Sequence, residues 1–229
     1  MKDKTLIGGI VVMVVGAVLI GVVWLVFFQP ARTPSAPLTA VPITLTGDSN
    51  QFTIFEIVPT ESLATFTLSE TLRGLPTTVV GRSREIAGQI AIDFENPANS
   101  QMGPIQINAR TLMTDNEFRN NAINNFILDT EQYELITFTP RQMTGLPSEF
   151  TAEEPIELQI EGDLTIREIT KPVTFAATVT ANGRTELNGS ATAQILRADF
   201  GLQIPDAPGV ANVSDEVQLT FEFTAKLHK

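Results

Sequence analysis

From about residue 52 onward the chain alternates apolar and polar residues with a period of two, a spacing that suits a strand and scatters apolar groups around a helix. Ala64, Phe66 and Leu68 alternate with Thr65 and Thr67. Ile86, Gly88, Ile90, Ile92 and Phe94 mark a second run, and Ile105, Ile107 and Ala109 a third after Gly103-Pro104. Ile136 and Phe138 follow, then Ile156, Leu158, Ile160, Gly162, Leu164 and Ile166. Val173, Phe175, Ala177 and Val179 precede Leu187, Ala191, Ala193 and Ile195. The clearest run is the last: Val217, Leu219, Phe221, Phe223, Ala225 and Leu227. Asn96-Pro97, Gly145-Leu146-Pro147 and Pro205-Asp206 separate runs, and Asn182-Gly183 suits a two-residue type I′ hairpin. Eight or nine strands at this spacing predict an all-β barrel or sandwich.

One segment breaks the pattern. Between Asp115 and Leu128, Phe118, Ala122, Ile123 and Phe126 recur at three-to-four spacing, which predicts a helix capped by Thr114 or Asp115. Phe118, Ile123 and Phe126 either line a ligand cavity or cover the sheet. The inward candidates of the strands are Phe66, Ile90, Ile92, Phe138, Ile160, Phe175, Phe221 and Phe223, which line a tunnel or fill a core.

A second apolar feature precedes the strands. Leu6 to Phe28 is an uncharged run of 23 residues. As a helix it is long enough for a hydrocarbon core of roughly 30 Å. Lys2 and Lys4 precede it, so the positive-inside rule predicts residues 1–5 in the cytoplasm and the rest outside it. The run is too long for a signal-peptide core and ends in bulky Leu25-Val26-Phe27-Phe28, so a retained anchor is expected. Pro30, Pro34, Pro37 and Pro42 mark residues 29–51 as a spacer before a domain over 52–229.

Charge and side-chain inventory narrow the chemistry. With residues 1–51 set aside, the formal charge is −12, which disfavours nucleic acid. There is no Cys, and the one His is His228, beside the C-terminal Lys229. Thiolate chemistry is excluded, and triad or multi-His metal chemistry is not expected. No catalytic residue, metal or cofactor is expected. Asp115, Asn116 and Glu117 lack the spacing of a calcium loop. Arg197 and Asp199, two apart on an expected strand, face one side and form either a ligand-head contact or a structural ion pair, with Arg119 grouped beside them.

Several segments, in order, resemble the YceI-like family. They are Phe55-Glu56-Ile57-Val58-Pro59 with Glu61 to Phe66; Gly88 to Asp93 with Asn96-Pro97 and Ser100; and Thr114-Asp115-Asn116, Arg119, Phe126 to Asp129 and Tyr133. Gly162 to Arg167 with Thr170-Lys171-Pro172-Val173 is the most specific stretch, followed by Arg197 to Gly201 and Asp215-Glu216-Val217. The resemblance implies an antiparallel up-and-down, lipocalin-like barrel of about eight strands with a short helical insertion. It implies a long apolar ligand, an isoprenoid or acyl lipid, and is compatible with a homodimer. A partner-binding envelope scaffold with a filled barrel is the alternative. Two departures bear on the ligand: Glu61 stands where the family commonly has His, and Arg167-Glu168 where it commonly has His-Gly.

Overall fold

The computed structural model describes Gly21 and residues 33–34, 36–151 and 153–228. The expected spanning run Leu6–Phe28 lies outside the described residues except for Gly21, as do the expected cytoplasmic tail and residues 29–32. Among the described residues no helix is long and apolar enough to cross a membrane.

The alternating runs are strands of one antiparallel sheet: β1 (Thr53–Ile57), β2 (Leu63–Leu72), β3 (Leu75–Ser83), β4 (Ile86–Ala87), β5 (Gln89–Ile92), β6 (Gln101–Met102), β7 (Ile105–Asn108), β8 (Leu135–Thr144), β9 (Ile156–Ile166), β10 (Ile169–Asn182), β11 (Glu186–Leu196), β12 (Val210–Ala211) and β13 (Glu216–Leu227). Several are pieces of one pleated run. A 3-10 turn at Pro59–Glu61 divides β1 from β2, Gly88 divides β4 from β5, and Gly103-Pro104 divides β6 from β7. β3 pairs with β2, β5 with β1 and β6, and β4 with β7; from β7 to β11 each strand pairs with the next, β12 pairs with β2, and β13 follows β11 and returns to β1 (Phe55 opposite Leu227) and β2 (Phe66 opposite Leu219). The result is a strongly curled sheet.

Two glycines show how the curl is made. Gly189 on β11 lies opposite Phe223 on β13, and a Cβ there would sit 2.7 Å from the Phe223 ring and 2.8 Å from the Thr178 carbonyl oxygen. Gly81 on β3 is covered in the same way by the ring of Phe66. A strand without a side chain at such a point bends freely, and the aromatic ring fills the space.

The helical insertion is shorter than its periodicity predicts. α1 (Glu117–Ala122) is capped by Asn116, not Thr114 or Asp115: Asn116 Oδ1 accepts from the Arg119 backbone N–H at 3.0 Å. It continues into a π-helical turn at Ile123–Ile127. The insertion covers one end of the curled sheet. Arg119 Nη2 donates to Glu70 Oε1 on β2 at 2.7 Å, and Arg167 Nη1, from the β9–β10 turn, donates to the Ile127 carbonyl at 3.4 Å. Ile123 and Leu128 are buried there with Leu164, Ile166 and Phe200. A second cluster, with Phe55, Ile57, Ile86, Leu187 and Ala225, fills the far end.

Two further expectations change. Asn182 pairs with Glu186, so Gly183, Arg184 and Thr185 form a three-residue loop in place of a two-residue hairpin turn. The described part of the expected spacer is fastened to the sheet. Gln89 Oε1 accepts from Ile43 N–H at 3.1 Å. Gln101 makes a two-point amide contact with Thr46, at 3.0 and 2.9 Å. Ala40 is buried, and the Thr33 carbonyl accepts from Arg110 Nη1 at 3.3 Å.

Candidate functional site

The inner face encloses two cavities, of about 120 and about 60 Å³. The larger is lined by Phe66, Phe138, Leu164, Ile166, Phe175 and Leu219 among others. The smaller is lined by Ile90, Ile92, Leu158, Val179, Leu187 and Phe223 among others. Met102, Ile160, Ala191 and Phe221 line both. Strand order fixes how the cavities lie. Along β9, Ile156 and Leu158 face the smaller, Ile160 both, and Leu164 and Ile166 the larger. Along β13, Leu219 faces the larger, Phe221 both, and Phe223 the smaller. The cavities therefore lie end to end, meeting at a waist. The span from Ile156 to Ile166, ten steps at ~3.4 Å on a strand tilted by ~40°, is roughly 25 Å along the axis.

The lining is almost wholly hydrocarbon. Side-chain oxygens come only from Thr65, Thr220 and Ser100 among the lining residues. Ser100 Oγ accepts from the Asp93 N–H at 3.2 Å. Asp93 itself is buried and organises the β5–β6 loop. Its carboxylate accepts from Asn96 N–H at 2.9 Å, Asn99 Nδ2 at 3.1 Å and Glu95 N–H at 3.0 Å. The Asn96 backbone bond first, then the Asn99 amide, hold its carboxyl below the ordinary value of 3.8.

Of the expected lining residues, Phe66, Ile90, Ile92, Phe138, Ile160, Phe175, Phe221 and Phe223 all face a cavity. Ile123 is buried in the core beneath α1 without lining either cavity. Phe118 and Phe126 are not brought to a cavity; both are exposed on the outer side of the insertion. Helical periodicity groups such residues without telling which side of the helix is covered.

The expected polar cluster does not assemble as drawn. Arg197 and Asp199 lie in a 3-10 turn, Arg197–Phe200, and not on a strand, so a two-residue spacing no longer puts them on one side. Arg197 donates to the Leu202 carbonyl at 2.6 Å and lies 3.8 Å from Asp215, while Asp199 is exposed. Arg119 serves α1 through Glu70 and Asp115. A different polar group sits beside the insertion. Arg167 stacks over the Tyr133 ring at 5.6 Å, and its buried Nε makes no hydrogen bond, with Glu168 Oε2 at 3.6 Å. Burial, then a hydrogen bond to Glu168, raises the Tyr133 phenol. The Glu168 backbone N–H first, then the Tyr133 hydroxyl, lower the Glu168 carboxyl. Arg167 and Glu168 stand out in the sequence as departures from the family pattern, and Tyr133 only as part of the resemblance at the insertion. Among the described residues no three His, Asp or Glu side chains gather as a metal site would require.

A curled antiparallel sheet around an apolar, waisted interior defines a class of small β domains built around an inner space. Within that class the chain belongs to the YceI-like domain family, whose model matches residues 55–225. It is similar to a UPF0312 protein of Pseudomonas fluorescens, 26% identical over 152 residues, which cover 63% of this chain and 73% of that one. Its fold is similar to that of BcnA from Burkholderia cenocepacia, with a TM-score of 0.58 and 21% identity over 74% of this chain and 99% of that one. It is also similar to a polyisoprenoid binding domain from Saccharophagus degradans, implicated in plant cell wall breakdown, with a TM-score of 0.58 and 13% identity over 77% and 99%.

Proposed function

We propose that this domain holds one long apolar chain, an isoprenoid or acyl lipid, without reacting with it, inside a lipocalin-like barrel. We read Leu6–Phe28 as an anchor that keeps the domain on the extracytoplasmic face of a membrane. The observation that carries the ligand reading is the shared waist: two hydrocarbon-lined cavities set end to end suit a linear molecule better than a compact one. Each Å² of ligand surface withdrawn from water contributes about 25 cal/mol, before the costs of ordering. The similar fold of the polyisoprenoid binding domain from Saccharophagus degradans supports the same reading. Native mass spectrometry of the full chain, purified from membranes and then extracted with organic solvent, tests it. A removable mass that fragments as an isoprenoid or acyl lipid is expected. A chain that stays empty after incubation with envelope lipids overturns it.

A further inference from the structure

Seven large apolar side chains are exposed among the described residues, and five of them gather at the helix-capped end. Leu75 (69% exposed) sits at the β2–β3 turn, and Met113 (63%) precedes α1. Phe118 (54%) lies on α1 and Phe126 (41%) on the π-helical turn, beside the β9–β10 turn that carries Arg167. Leu196 (42%) ends β11, opposite the first residue of β13. These lie on three parts of the chain, the β2–β3 turn, the insertion with its approach, and the end of β11, that topology brings to one end, the end toward which Leu164, Ile166 and Leu219 line the larger cavity.

The N-terminal tether reaches that same end. Arg110, in the turn after β7, bonds the Thr33 carbonyl, and also the Thr130 carbonyl just before β8. From there the chain runs along the wall to Gln89 and Gln101 before entering β1. Phe28, the last residue of the apolar run, is five residues before Thr33. Five residues reach at most about 18 Å, however extended. A bilayer holding Leu6–Phe28 is thus within reach of the capped end, while the far end lies roughly a cavity length beyond.

We propose that the helix-capped end is a bilayer-docking face: Leu75, Met113, Phe118, Phe126 and Leu196 rest in the lipid interface and hold the end of the interior that contains the larger cavity against the source of its ligand. This rests on the anchor reading above. The contact is apolar, since a domain of charge −12 gains nothing from anionic lipid. Apolar groups on such a face bury at the boundary of headgroups and acyl chains.

The chain has no Cys, so a single introduced thiol reports one position. Full-length Phe118→Cys, Leu75→Cys and, at the far end, Thr185→Cys would each carry an environment-sensitive fluorophore and be reconstituted in phosphatidylcholine vesicles containing brominated phosphatidylcholine. Severalfold stronger quenching at positions 118 and 75 than at 185 is expected. A chain that sediments with the vesicles but quenches equally at all three positions overturns the docking face and leaves the anchor standing. A chain that fails to sediment with them overturns both. Self-quenching at position 118 in place of lipid quenching assigns the face to a second copy and overturns the bilayer as its occupant.

Discussion

Asp93 is fully buried yet lines neither cavity. Its three hydrogen bonds fold the loop that presents Ser100 to the smaller cavity, so its ionisation state is a property of the fold. A carboxyl lowered on folding contributes stability that is complete above its unfolded value near 3.8 and lost as pH falls through its lower folded value. The urea midpoint of the native chain should therefore exceed that of Asp93→Asn by a constant margin above that unfolded value, and the margin should vanish under stronger acid. A margin that instead grows toward low pH would contradict the bonding described. At this scale the alternation predicted the inward side chains well, because a pleat gives each residue one of two faces. Arg197 and Asp199 went astray because a 3-10 turn ends that alternation at Leu196, and nothing in Arg-Ala-Asp-Phe announces where a strand stops. Arg167 and Tyr133 are brought together only by packing between distant segments, which a linear sequence does not display.

Among elements, the bent strands and the insertion matter most. β11 and β13 curl together because Gly189 leaves room for the Phe223 ring. Gly189→Ala should cost about 2–3 kcal/mol, since the added methyl meets both a ring and a backbone oxygen. Chemical denaturation would measure it. Adding Phe223→Leu should restore only part of the loss, because Thr178 O remains 2.8 Å from the new carbon. α1 was legible as a helix, yet its end was not. After Ala122 the backbone widens into a π-helical turn that buries Ile123 and Asn124 and leaves Phe126 outside, a shift that a fixed 3.6-residue period does not anticipate. The described part of the proline-bearing segment was expected to be a plain spacer. Its docking depends on the amides of Gln89 and Gln101, whose partners lie 46 and 55 positions away.

For the whole molecule, the waist governs what fits. Ala191 is its smallest member, beside Met102, Ile160 and Phe221. Ala191→Phe should divide the interior, so that long-chain lipid binding falls by at least about tenfold, the equivalent of 1.4 kcal/mol, while a chain short enough for the larger cavity still binds. Competition between long and short fluorescent lipids would separate these outcomes, and equal loss of both would argue against a continuous path. β13 holds another consequence. It is the last strand of the chain, yet its partners include β1 and β2, and Thr224 N–H reaches Ser62 Oγ across 162 positions. Pairings this distant form late and slowly. Until residues 216–227 have left the ribosome, the side of the sheet between β11 and β1 has no strand in it. For that interval the inner face is an open trough. On the function proposed above, a lipid met during that interval would enter sideways, with no need to thread past the waist, and the twelve residues of β13 would then close over it.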